Sequence, residues 1–126
     1  MSNIAHINEK SKEIVNNIKN KIFLYLFQIL SNSDGLIDGR KVNNIDLSVI
    51  PDKIKNILLP ILEELHEQNE TLSADEFLIA SQQIYFTLPY DYKQFLMEWY
   101  LANNKSKNQD AIRELADLSF KVNIIV

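Results

Sequence analysis

One pattern, used twice, constrains this chain more than any other feature. Phe23, Phe27 and Leu30 precede one polar break; Leu58, Leu62 and Leu65 precede another, each 35 residues later. Beyond the breaks, Ile37, Val42 and Ile45 are matched at the same offset by Leu72, Phe77 and Ala80. Apolar residues at i, i+4 and i+7 share one helical face, so each copy reads as helix, loop, helix. A repeat of this length is one supersecondary unit that buries its apolar face only against a neighbour.

The punctuation supports that reading. The spacing of Ile14, Ile18, Ile22, Phe23, Phe27 and Leu30 predicts a first helix from about Glu9 to Leu30, ended by Ser31-Asn32-Ser33-Asp34-Gly35. A short helix is expected from Gly39 to about Ser48, and Pro51 is placed to open the next. Pro60 lies inside that next helix; it removes the bond to Asn56 and should bend the helix there. Ser73-Ala74-Asp75-Glu76 is a capping box launching a helix to about Leu88. After Pro89 an aromatic helix runs from Tyr90 to Ala102. A polar linker, Asn103 to Gln109, leads into a last amphipathic helix at about Ala111 to Phe120. Nothing reads as a strand of useful length. The expectation is an all-α fold in a single domain, 1–126. Its first unit spans about 9–48, its second about 52–88, and closing helices occupy about 90–120.

Composition excludes several classes. A net charge of -4 with scattered lysines argues against a phosphate-binding surface, so no nucleic-acid partner is expected. The absence of cysteine removes disulfides, thiolate metal sites and a cysteine nucleophile together. The most apolar stretch, Ile22 to Leu30, is interrupted by Gln28 and is too short to span a bilayer. His6 and His66 have no partner at metal-ligand or triad spacing, and no phosphate loop or nucleophile–base pair can be picked out. The chain is expected to be a cytoplasmic, non-enzymatic protein without a cofactor or a membrane partner.

From roughly Lys21 to Tyr85 the sequence resembles the EF-hand superfamily, whose hands occur in pairs of about this period. An intact hand carries oxygen ligands at alternating loop positions, a glycine sixth and a bidentate glutamate twelfth; in the family the eighth residue is apolar. With Ile37 counted eighth, Gly35 falls sixth, but Leu30 falls first and Lys41 twelfth. With Glu76 counted twelfth, Leu72 falls eighth, Ser73 ninth, Asn69 fifth and Glu67 third, while Leu65 is first and Glu70 replaces the glycine. If Leu30 and Leu65 instead end the incoming helices, each loop is one residue short. Either way the first ligand or the loop length is wrong in each hand, and Lys41 places an ammonium where the first hand needs its bidentate carboxylate. The resemblance therefore implies a degenerate, calcium-independent pair with no metal bound. Glu67, Asn69, Ser73 and Glu76 are the only candidate ligands for the alternative, a calcium sensor or buffer using the second loop. It also implies that Ile37 and Leu72 pair the loops through a short β-bridge, with Asp38 and Ser73 capping the exiting helices. Domains of this kind occur in large cytoskeletal, centriolar and ciliary proteins. By that resemblance the expected role is a protein-interaction or scaffold module of a larger protein, at the cytoskeleton, centriole or basal body.

Tyr85, Phe86, Tyr90, Tyr92, Phe95, Trp99 and Tyr100 crowd together. Tyr92, Phe95, Leu96 and Trp99 share one helical face and are expected in the core, where this helix would fill the groove between the paired units. Met97, Tyr100 and Leu101 lie off that face and form a candidate partner-binding strip. The acidic run containing Glu63, Glu64, Glu67 and Glu70 is a second candidate, suited to a basic partner.

Overall fold

The computed structural model describes residues 2–114, 116 and 117, with side chains from residue 9 onward. The order is α1 (Ser2–Leu30), β1 (Ile37–Asp38), a 3-10 segment (Gly39–Asn44), α2 (Asp52–Gln68), β2 (Thr71–Leu72), α3 (Ala74–Thr87), α4 (Tyr90–Asn103) and a 3-10 turn (Lys105–Lys107). Residues 109–114 are helical again. The fold is mostly helical, and among the described residues no helix is long and apolar enough to cross a membrane. The expected closing helix beyond residue 117, Phe120 included, lies outside the described residues.

α1 starts earlier than the apolar spacing alone predicts, because no glycine or proline interrupts residues 2–8. α2 begins where Pro51 allows: the Pro51 carbonyl accepts the amides of Ile54 and Lys55 at 3.0 and 2.9 Å. It runs through Pro60 to Gln68 as one element. Pro60 and Asn56 are both exposed, so the carbonyl that loses its partner faces solvent. α3 opens on the complete capping box, with the Ser73 hydroxyl accepting the Glu76 amide and the Glu76 carboxylate accepting the Ser73 amide.

One expectation needs correcting. The short helix over Gly39–Ser48 is only a 3-10 segment ending at Asn44, kinked at Lys41 (φ -115°, ψ 16°). Val42, Asn43 and Asn44 are poor helix formers, and the Asp46 carboxylate accepts the Ser48 amide at 2.9 Å in a turn that competes with helix.

α1 is the spine. It packs on both α3 and α4, while α2 packs on the 3-10 segment. Its Ile18, Ile22, Leu26 and Leu30 are buried with Ile54, Leu58 and Leu62 of α2, Phe77 of α3 and Leu96 of α4. Phe27 meets Phe77 with ring centroids 5.7 Å apart, and Phe23 meets Tyr85 edge-on at 5.9 Å. Each fully buried apolar side chain of this core contributes roughly 1.5–3 kcal/mol. The two short strands join antiparallel, Ile37 opposite Leu72 and Asp38 opposite Thr71.

Candidate functional site

The paired loops are the first candidate. In the first loop the Asn32 side chain accepts the amides of Asp34 and Leu36 at 2.9 and 3.1 Å, and Gly35 sits at φ +74°. Asp38 caps the 3-10 segment by accepting the Arg40 amide, and its two oxygens take Nε and Nη2 of Arg40 at 3.2 Å each. That guanidinium, then the amide, holds the Asp38 carboxyl below its ordinary range. In the second loop the left-handed residue is Asn69 (φ 53°), three before Leu72, whereas Gly35 lies two before Ile37. The four candidate ligands sit at the junction of α2 and α3. Glu67 still belongs to α2, Asn69 is its C-cap, and Ser73 and Glu76 are joined to each other in the capping box. The Ser73 amide, then its hydroxyl, lowers the Glu76 pKa. Among the described residues no three acidic or histidine side chains converge to hold a metal.

Backbones, more than ligands, meet at this end. The Gly39 amide donates to the Glu70 carbonyl at 2.9 Å, and His66 Nδ1 lies 3.1 Å from the Gly39 carbonyl, which it reaches as the protonated nitrogen. A Cβ on Gly39 would overlap the Leu65 carbonyl and come within 2.6 Å of the Glu70 oxygen. His66 is thus a tie between the units; the side chain of His6 lies outside the described residues.

The aromatic helix α4 is rotated from its expected setting. Leu96 and Tyr100 are its buried residues, while Tyr92, Phe95 and Trp99 are half-buried. Tyr100, expected on a partner-binding strip, is only 4% exposed, and Met97 and Leu101 are half-buried against the core. The reason lies downstream. The Asn103–Gln109 stretch, expected to be a polar linker, folds back, and Asn104 and Asn108 are buried over Tyr100. Asn104 Nδ2 donates to the Tyr100 carbonyl at 2.9 Å; Asn108 Nδ2 donates to the Tyr100 hydroxyl at 3.1 Å and to the Asn104 carbonyl at 2.9 Å. Tyr25 of α1 completes this pocket, with its ring 5.4 Å from Trp99 and 5.8 Å from Tyr100. Glu63 and Glu64 are exposed on α2.

The two most exposed large apolar side chains lie elsewhere, at the corner joining α3 to α4, with lesser exposure at Ile79 on α3, Val49, Leu24 and Leu59. Phe86 is 86% exposed, Tyr90 78% and Ile79 61%. Phe77 fixes the inward face of α3; at about 100° per residue, Ile79 and Phe86 fall about 160° and 180° from it. Leu88 and Tyr85, half-buried against the core, pin the corner from inside. Tyr85 stands beside Phe86 in the chain, and its ring carries two ammonium groups, Lys19 Nζ of α1 at 5.4 Å and Lys93 Nζ of α4 at 5.1 Å. Burial raises the pKa of the Tyr85 phenol. Lys93 lies three residues after Tyr90 and shares its face of α4. Phe86 and Tyr90 were legible as members of an aromatic cluster. The missing signal was their position on either side of Pro89, at the junction of α3 and α4, where both aromatics face outward.

No protein-family model matches the chain, and neither does any curated protein or any solved structure.

Proposed function

We propose that this domain is a non-enzymatic, calcium-independent protein-interaction module whose docking surface is the α3–α4 corner. The observation that supports it is the exposure of Phe86 and Tyr90 on a backbone held from within by Leu88 and Tyr85. Large aromatics kept in water contribute little to folding, whereas at interfaces they are frequent anchors. The paired, degenerate EF-hand-like units serve as the rigid base, and the setting in a larger cytoskeletal, centriolar or ciliary protein rests on the resemblance alone.

The test is site-specific photo-crosslinking in cells that produce the protein. A photoreactive residue at 86 or 90 should capture a discrete protein partner, and one at the exposed Glu64 should not. The same products should form with calcium and with chelator, and melting curves in the two should superimpose, since a ligand that does not bind cannot shift stability. Crosslinks from 64 and none from 86 or 90 would move the surface to the acidic run. A melting temperature raised by sub-millimolar calcium would restore the sensor alternative.

A further inference from the structure

We infer that the α3–α4 corner takes an acidic segment of its partner, one that places an apolar side chain on Phe86 and Tyr90 and carboxylates beside Lys19 and Lys93. The inference rests on the corner being the docking surface and adds the chemistry of what docks.

The argument is one of charge left over. Lys10, Lys53, Lys55 and Arg40 each hold a carboxylate within 3.6 Å. Among the described residues, Lys19 and Lys93 are, like Lys12, Lys21, Lys41, Lys105, Lys107 and Arg113, without a carboxylate in ion-pair range; what sets these two apart is that both are gathered over one ring. The chain is acidic overall, at -4, and here two cations share one ring. Their attraction to the Tyr85 face holds both ammonium groups at a defined place without neutralising them. The one acid close in sequence, Asp91, is turned to Lys53 at 3.6 Å, and Lys53 is itself held over Tyr92 and Phe95 at 4.6 and 5.2 Å. Aromatic anchors beside fixed positive charge complement a segment in which leucine-like and acidic residues alternate along one face. A basic segment would meet like charge, which opposes docking.

The probe is a fluorescein-labelled amphipathic peptide with leucines at helical spacing and glutamates elsewhere. Its twin carries lysine in place of every glutamate. The full chain should bind the acidic peptide, more weakly as salt rises, and ignore the twin. Lys19→Gln with Lys93→Gln should weaken binding about tenfold while preserving the helical circular dichroism. Phe86→Ala with Tyr90→Ala should weaken it at least as much with little change in melting temperature. Equal binding of the twins, or affinity untouched by the lysine changes, overturns the acidic assignment. Self-association that rises with concentration and is unaffected by Glu63→Lys with Glu64→Lys would make a non-acidic face of a second copy the occupant and equally overturn it. In the crosslinking experiment the lysine changes should also abolish capture. Capture that survives them but is lost in Phe86→Ala with Tyr90→Ala would leave the docking surface standing and remove only this inference.

Discussion

The two helix-loop-helix units begin from the same apolar template and end differently. The second is complete: α2 stops at a left-handed asparagine, β2 follows, and a reciprocal capping box starts the fourteen residues of α3. In the first, a twenty-nine-residue helix leads through a loop to a 3-10 segment of six residues. The second unit carries its own exit helix, whereas the first leans on its neighbour. Ile37 is fully buried where its repeat partner Leu72 is half-buried. Gly39 has no room for a side chain, and the equivalent residue of the second unit, Ala74, already bears one. A short exit element is tolerated because backbone contacts with the end of α2 replace the packing that a longer helix would supply.

The sharpest way to break this comparison is to place a charge at each end of the bridge. Ile37→Asp should cost roughly 4 kcal/mol, through an unpaired charge in a site with no access to water, and Leu72→Asp only about 1–2 kcal/mol. Chemical denaturation of both variants reads the difference; equal losses would mean that the bridge is symmetric in energy as well as in register. Gly39→Ala comes next. The new methyl meets backbone that cannot yield, and a loss of about 3 kcal/mol or more is expected. Gly35→Ala meets nothing within 4 Å and should lose only about 1 kcal/mol, the cost of a side chain at φ +74°. If Gly39→Ala is the milder of the two, the units do not depend on that contact.

Ser73→Ala tests the self-sufficient unit and should cost about 1 kcal/mol by removing one half of its capping box. The smallest effect is one of pH. The Asp38 carboxyl is depressed below 3.8 by Arg40, so its contribution is present above that value and is lost as pH falls through the lower, folded one. Asp38→Asn should flatten the acid limb of the stability curve. An unchanged acid limb would show that the cap does not depend on charge.

Legibility followed the distance over which an interaction acts. Element order, the capping box and the start of α2 at Pro51 are set within one helical turn, and Ser73, Glu76 and Pro51 announce them. The Ile37–Leu72 register was also accessible, because the repeat offset carries it. The rotation of α4 was not. Spacing alone puts Tyr100 on the outer strip, where the structure buries it, and puts Trp99 deeper than its half-buried place against Tyr25, because the apolar count stops at Ala102. The side chains that bury Tyr100 are two asparagines beyond it, and asparagine in a polar stretch is ordinarily a turn residue. Nor does spacing show that Gly39 stands under the Leu65 carbonyl, since that contact joins separate units. Of the proposed docking corner, the aromatics were visible and their exposure was not.

The spine has a consequence for the order in which the chain acquires structure. α1 is made first, yet much of what it packs against arrives late: Asn20 meets Gln82 across 62 residues, and Tyr25 waits for Trp99 and Tyr100. Until then a long amphipathic helix carries Ile18, Ile22 and Leu26 only partly covered, by α2. Contacts between distant parts of a chain slow folding, and apolar surface left open meanwhile is exposed to aggregation. During synthesis the emerging chain thus offers chaperones a helical apolar stripe, which disappears only when α3 and α4 fold down upon it.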